Sequence, residues 1–188
     1  MVVLGIDPGT QRCGYGIVAR RGGRLVRLAS GVIVPGALPM AERLGHILEA
    51  LTRVMALEEV EAVAVETAFC GRSPRSALAL GQARGVALAA AARAGLPVHE
   101  YAPAEVKRAF TGSGRADKAQ MVRTARALFG LEARLADEAD AVAIAVCHLA
   151  RGDRGAPRAH ALDRARPTAR LRAAGVMRSS VRRFAEVS

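Results

Sequence analysis

The sequence predicts an α/β domain with a mixed five-stranded sheet, in which three antiparallel strands form a meander, the other strands are parallel and helices cover both faces. Two observations lead to this prediction. Short apolar runs such as Val2–Ile6 and Val60–Val65 suit strands that are buried on both faces. Longer segments with helix signals separate the later runs, and strands joined through helices run parallel. Hydrophobic residues make up 51% of the 188-residue chain, enough for one core.

The first three strands are predicted from apolar runs and the turns between them. Val2–Ile6 ends at Asp7-Pro8-Gly9-Thr10, a turn signal. Gly14–Ala19 and Leu25–Val34 follow, and Gly22-Gly23 between them indicates a tight hairpin, because adjacent glycines permit positive φ angles. The chain is therefore expected to open with a meander.

The remaining elements are predicted from helix caps and further apolar runs. Pro39 suits the first turn of a helix that ends near residue 57. Ser73-Pro74 starts a helix that ends near Ala94, and Asp117 with Gln120 resembles a capping box. The other predicted elements are strands at 60–65 and 97–100 and helices at 103–110, 117–129 and 137–150.

The chain is strongly basic, with a formal net charge of +11. Such a charge favours a polyanionic partner, which is DNA, RNA or an anionic membrane surface. Compositional bias is the alternative, because nearly all basic residues are arginines and Lys107 and Lys118 are the only lysines. The most apolar helical segment, 74–94, is interrupted by Arg84 and Arg93, so no membrane span is predicted.

Residues 151–188 differ in composition from the preceding chain. They contain ten arginines and three acidic residues, with recurrent glycine and proline and little periodicity. We predict a folded domain at 1–150 and a basic, mobile tail at 151–188, which either contacts the polyanion or is a solvated end. The three cysteines match no zinc or redox spacing and no secretory signal is evident, so a cytoplasmic protein with reduced thiols is expected.

Four carboxylates are expected to meet at one edge of the sheet. Asp7 and Glu66 end predicted strands, and parallel strands place such ends at a shared crevice. Asp137 and Asp140 lie three residues apart on the last helix and so share a face. The alternative is that the aspartates are ordinary turn and cap residues.

Four clustered carboxylates repel one another, so they require protons or cations between them. All-oxygen ligands suit Mg²⁺ or Mn²⁺. Two such ions about 4 Å apart can activate a water and stabilise the leaving oxygen of a phosphodiester. In a basic chain, this pattern indicates a nuclease.

At these residues the sequence resembles the RuvC family of Holliday-junction resolvases, which have the ribonuclease H-like fold. The matching segments follow one another in family order over about residues 1–150. They are Leu4–Thr10 with Gly14-Tyr15-Gly16, Val65-Glu66 with Phe69, Ser76–Gly85, Lys107, Lys118 and Asp137–Ala141. The chain departs from the family in the composition of the loop 70–74 and in its long arginine-rich tail.

The resemblance implies a homodimer that nicks opposed strands of a four-way DNA junction during recombination and repair, with the RuvA–RuvB branch-migration complex as a partner. It implies Asp7, Glu66, Asp137 and Asp140 as catalytic metal ligands for Mg²⁺ or Mn²⁺; some members carry histidine at the position of Asp137. It also implies that an aromatic residue stacks on an unpaired base and that basic residues engage the DNA backbone. The predicted DNA contacts are Phe69, Arg72, Arg75, Lys107, Arg115 and Lys118.

Two other functions fit parts of the sequence. Asp-x-Gly-Thr after a first strand also resembles the phosphate loop of sugar kinases and actin-like ATPases, but those enzymes have two domains and need fewer acids. A non-catalytic junction-binding protein is the second alternative. It is disfavoured because clustered negative charge gains nothing against a phosphate backbone.

Overall fold

The computed structural model describes residues 1–67, 73–131 and 136–152, and within them it contains five strands and five helices. The strands are β1 (Val2–Asp7), β2 (Cys13–Arg21), β3 (Arg24–Ile33), β4 (Ala62–Glu66) and β5 (Val98–Tyr101). The helices are α1 (Met40–Met55), α2 (Pro74–Arg93), α3 (Pro103–Thr111), α4 (Lys118–Phe129) and α5 (Ala136–Arg151). Every element predicted from the sequence is present, in the predicted order.

The strands form one mixed sheet in the order β3-β2-β1-β4-β5. The first three strands pair antiparallel as a meander, and β4 and β5 join parallel to β1. β1 therefore lies at the centre of the sheet, with β4 as its parallel neighbour. The predicted mixed five-stranded sheet is confirmed.

Two apolar cores lie on opposite faces of the sheet. One contains the alternate β1 residue Val3 and most of α5, together with residues of α3 and α4. The other contains Leu4 and Ile6 of β1 and the buried faces of α1 and α2. Period-two alternation along β1 thus supplies both layers, as expected for a central strand covered on both sides.

The helix starts follow the capping chemistry of the sequence. Ser73 accepts a hydrogen bond from the backbone N–H of Ser76 at 3.3 Å, and Asp117 accepts one from Gln120 N–H at 2.7 Å. The start of α1 differs slightly from the prediction: Pro39 is the cap residue, and the helix begins at Met40. The ψ angle of Pro39, 153°, is extended, so this residue lies outside the helix.

Residues 68–72, 132–135 and 153–188 lie outside the described residues, and with them almost all of the predicted basic tail. No helix in the described ranges combines the length and apolarity that crossing a bilayer requires. Cys13 and Cys147 are buried free thiols.

Candidate active site

Three glycines form a flat platform on β1 and β2 against which α5 packs closely. A Cβ atom on Gly5 would lie 2.1 Å from the carbonyl oxygen of Ala141, and one on Gly14 would lie 2.0 Å from that of Asp137. A Cβ atom on Gly16 would meet Val142 at 2.6 Å. Only glycine permits this approach of the helix backbone. The first turns of α5, with Asp137 and Asp140, are thereby brought onto the sheet beside the end of β1.

The strand acids lie on the same face of the sheet as α5. Asp7 is paired with Gly14 across β1 and β2, so its side chain projects from the glycine platform. On β4, Ala64 belongs to the core that contains α5, and Glu66 follows at the period of two. Because Ile6 pairs in parallel register with Val65, Asp7 and Glu66 end adjacent strands at the same level.

The four acids line one cavity of about 700 Å³. Asp7 and Glu66 reach it from the sheet, and Asp137 and Asp140 from the helix, as the sequence predicted. The cavity also has an apolar wall formed by α2, α3, α4 and α5. Its other lining residues are Pro8, Gly9, Thr10, Gln11, Arg12, Thr67, Ser76, Ala79, Leu80, Arg84, Pro103, Val106, Lys107, Met121 and Ile144.

Burial and neighbouring carboxylates raise the pKa values of Asp7 and Asp140. Burial, followed by the charges of Asp140, Glu66 and Asp137, raises the pKa of Asp7 to about 7. Burial also raises the pKa of Asp140, where the positive charge of Lys118 acts in the opposite direction. The cavity therefore stabilises positive charge in the position where a cation would neutralise these groups.

Asp137 is held by a cation of the chain itself. The Arg12 guanidinium, on the turn after β1, donates from Nε to Asp137 Oδ2 at 2.5 Å. Within the ranges that the structure describes, no three Asp, Glu, His or Cys side chains are grouped closely enough to hold a metal ion without rearrangement. The four acids share a cavity but do not form a closed coordination shell.

The donor set nevertheless suits a hard divalent cation. All four groups are carboxylates, and no thiolate or imidazole lines the cavity in the described ranges. Burial and the neighbouring carboxylates oppose ionisation of Asp7 and Asp140, and a divalent ion would favour their charged forms.

Glu138, the third acid of this helix, is directed away from the cavity. It is only 5% exposed, and it accepts a hydrogen bond from the Ser30 hydroxyl on β3. Arg27 donates to the same hydroxyl at 2.9 Å. This network attaches the first turn of α5 to the meander.

The predicted DNA contacts occupy different positions around the cavity. Lys107 lines it, and the charge of Lys118 lowers the pKa of both Asp7 and Asp140. Arg75, in the first turn of α2, and Arg115, in the loop between α3 and α4, are exposed and do not line the cavity. Phe69 and Arg72 lie outside the described residues.

Two cavity arginines were not predicted as site residues. Arg12 lies five residues after Asp7, in the turn between β1 and β2. Arg84 belongs to the helix segment that carried the family resemblance, and it forms an ion pair with Glu100 at 2.5 Å. The sequence signal that could have identified Arg12 as a site residue is its position close to Asp7, one of the predicted acids.

Comparison with known proteins identifies relatives over most of the chain. The family model described as "Crossover junction endodeoxyribonuclease RuvC" matches residues 3–148. A RuvC protein of Anaeromyxobacter sp. (strain K) is 69% identical over 151 residues, covering 80% of this chain and 82% of the relative. The RuvC protein of Citrifermentans bemidjiense is 46% identical over 150 residues, covering 79% and 92%.

Solved structures give the same result. Thermus thermophilus RuvC is similar with a TM-score of 0.72 and 39% identity, covering 80% of this chain and 95% of that one. T. thermophilus RuvC in complex with a Holliday junction substrate is similar with a TM-score of 0.73 and 40% identity, covering 79% and 93%. Yeast mitochondrial Ydc2, at 16% identity and a TM-score of 0.54, shares the fold. The family match and the conserved architecture show that this chain belongs to the RuvC family of crossover junction endodeoxyribonucleases.

Proposed function

We propose that this nuclease resolves Holliday junctions by hydrolysing phosphodiester bonds at the four-carboxylate cavity, with Asp7, Glu66, Asp137 and Asp140 as the metal ligands. The observation that supports the assignment is the convergence of the four acids on one cavity from β1, β4 and α5. No nucleotide-using or purely binding role requires this convergence. The family match to an endonuclease also opposes both alternatives.

Mg²⁺ or Mn²⁺, with two ions per site, would activate the attacking water and stabilise the leaving oxygen of the phosphodiester. The chain itself supplies the negatively charged carboxylates and holds them in position. Asp7 and Glu66 are fixed on adjacent strands of the sheet, and Asp137 and Asp140 are fixed by the close contact of α5 with the glycines. Catalytic groups on such rigid elements keep their geometry better than groups on loops.

The basic residues around the cavity would bind the substrate. Lys107 and Lys118 are assigned to the DNA backbone, where each neutralised phosphate strengthens binding and increases its salt dependence. Arg75 and Arg115 are exposed on neighbouring elements and are assigned to backbone further from the cut. The resemblance assigns Phe69 to an unpaired base, and Arg72, three residues further along the chain, is proposed as another DNA contact.

We further propose a homodimer, because two cuts on opposed strands require two active sites. One face of α2 is buried through Ala83, Ala87, Ala90 and Ala91, whereas Leu78 is 65% exposed near its start. A second copy covering the exposed side fits this distribution. Sedimentation that shows only monomer at micromolar concentration would contradict the dimer.

Other proposals follow from the family and the sequence. RuvA–RuvB is proposed as the partner complex, and the cytoplasm as the compartment. Residues 1–150 are proposed as the nuclease domain and 151–188 as a basic tail. Cooperative unfolding retained by a chain that ends at Gly152, with weaker junction binding, would support this division and a DNA-binding tail.

The direct test is cleavage of a synthetic mobile four-way junction with Mg²⁺ and, separately, with Mn²⁺. Paired symmetric nicks that disappear in Asp7→Asn and Asp140→Asn would support the reaction and the ligand assignment. Glu42→Gln is a matched control, because it alters an exposed acid of α1 that does not line the cavity. Junction binding without metal-dependent nicking, by folded dimeric protein, would contradict the assignment.

A further inference from the structure

Arg12 makes a contact that is incompatible with full use of Asp137 as a metal ligand. Its Nε–H donates to Asp137 Oδ2 at 2.5 Å, so the guanidinium occupies the space beside that carboxylate oxygen. A guanidinium and a divalent cation cannot occupy the same space on one oxygen, and their like charges repel. Binding of a metal at that position on Oδ2 therefore requires Arg12 to leave.

The other cavity arginine is not equivalent to Arg12. Arg84 is engaged by Glu100, an acid outside the four-carboxylate set, and its side chain is only 19% exposed. The Arg12 side chain is 48% exposed, and its partner Asp137 is 26% exposed. An ion pair with this exposure is weak and can exchange with other partners.

The Arg12 side chain can move while the backbone of the turn after β1 stays in place. A Cβ atom on Gly9 would lie 2.3 Å from the Arg12 carbonyl oxygen, so the turn after β1 is tightly folded upon itself. Asp137 is fixed in turn by the contact of its carbonyl with Gly14. Because both backbones are fixed, the ion pair between Arg12 and Asp137 breaks by rotation of the long Arg12 side chain at the entrance of the cavity.

Resting on the proposed metal site, we propose that Arg12 is a DNA-positioning residue which neutralises Asp137 before metal enters and is displaced by the metal onto the backbone of the junction. The released guanidinium remains at the mouth of the cavity, where a phosphate is the available anion and arginine binds phosphate with paired N–H groups. Metal binding and DNA binding would therefore be coupled through this one side chain.

The first test measures Mn²⁺ binding without DNA, from the electron paramagnetic resonance signal of the free ion. Arg12→Gln should bind Mn²⁺ about two- to fivefold more tightly than the wild type, the factor expected when a partly exposed ion pair no longer competes. Arg53→Gln is the matched control, because Arg53 pairs with Glu49 on α1 and does not line the cavity. Equal or weaker Mn²⁺ binding by Arg12→Gln would overturn the proposal.

The second test measures the salt dependence of junction affinity with and without a divalent ion. Ca²⁺ serves as an oxygen-binding cation, and strand cutting is monitored on the same samples. With Ca²⁺, Arg12→Gln should flatten the slope of log K against log salt by about 0.9 unit, the effect of one lost phosphate contact. With chelator the slopes of wild type and Arg12→Gln should agree, because Arg12 then pairs with Asp137. An equal change under both conditions would overturn displacement by metal.

Failure of this proposal can be distinguished from failure of the metal site itself. If the wild type binds Mn²⁺ and Asp7→Asn and Asp140→Asn do not, the site stands, and the Arg12 variant alone decides the coupling. If neither the wild type nor any variant binds Mn²⁺, the proposed metal site fails and the Arg12 proposal fails with it.

Discussion

Replacement of Gly14 by alanine tests whether the close approach of α5 to the sheet positions the acids. The added Cβ atom would lie 2.0 Å from the carbonyl oxygen of Asp137, whereas ordinary contacts begin at 3.4 Å. The obstructing atoms are backbone, so the first turn of α5 would have to move by about 1.4 Å. Overpacking of this kind costs about 1–3 kcal/mol of unfolding free energy.

The same movement should impair cleavage more than folding. Displacing Asp137 and Asp140 by about 1 Å from Asp7 and Glu66 is expected to lower the single-turnover cleavage rate roughly 100-fold. The unfolding temperature should fall by roughly 2–4 °C for each kcal/mol lost in a chain of this size. Both effects arise from one added methyl group, without any change of charge.

Circular dichroism gives the unfolding temperature, and cleavage of a labelled junction well below that temperature gives the rate. Gly45→Ala is the matched control: Gly45 lies in α1, and a Cβ atom there meets nothing within 4 Å. It should raise stability by about 0.5–1 kcal/mol, because alanine favours the helix, and leave cleavage unchanged. A folded Gly14→Ala protein that cleaves at the wild-type rate would refute the positioning argument.

Three further predictions concern the charge and the substrate contacts of the site. In metal-free protein, the raised pKa of Asp7, about 7, means that unfolding free energy should decrease as pH rises from about 4 to 7. Asp7→Asn should remove part of that decrease, which chemical denaturation at a series of pH values measures. If the unfolding free energies of Asp7→Asn and the wild type depend on pH in the same way, this prediction is wrong. Phe69→Ala should weaken junction cleavage by an amount corresponding to about 1–3 kcal/mol of lost stacking, with an unchanged circular dichroism spectrum; an unaltered rate would exclude the stacking role. Lys107→Ala and Lys118→Ala should each flatten the salt dependence of junction affinity by about one unit, and unaltered slopes for both would count against backbone contacts.

The fold could be predicted because its local signals agree with its global arrangement. The apolar run of β1 ends at Asp7, the hairpin glycines lie where β2 turns into β3, and Ser73 caps α2. Each signal is local in the sequence, and each agrees with the burial that the sheet imposes. Element boundaries shifted by one or two residues, as at Met40, because helix and strand ends depend on neighbouring contacts.

The arrangement of the site was only partly predictable. The acids were found because strand ends and helix spacing place them, and both are periodic properties of the sequence. The glycine platform was not foreseen, since nothing local tells which helix lies over Gly5, Gly14 and Gly16. The pairing of Arg12 with Asp137 joins positions 125 residues apart and depends on a side-chain contact. Such a contact follows no periodic pattern in the sequence, and for this reason it could not be predicted.

The electrostatics of the cavity connects these features. Asp7, Glu66, Asp137 and Asp140 are held on rigid elements, so their repulsion cannot be relieved by moving the backbone apart. It is relieved instead by the proton that the raised pKa of Asp7 favours and by the guanidinium of Arg12 on Asp137. Under the proposed displacement, a divalent cation that binds all four acids replaces both the proton and the guanidinium. Its affinity should therefore increase as pH rises towards 8 and should depend on the residue at position 12, which makes metal occupancy sensitive to whatever draws Arg12 away.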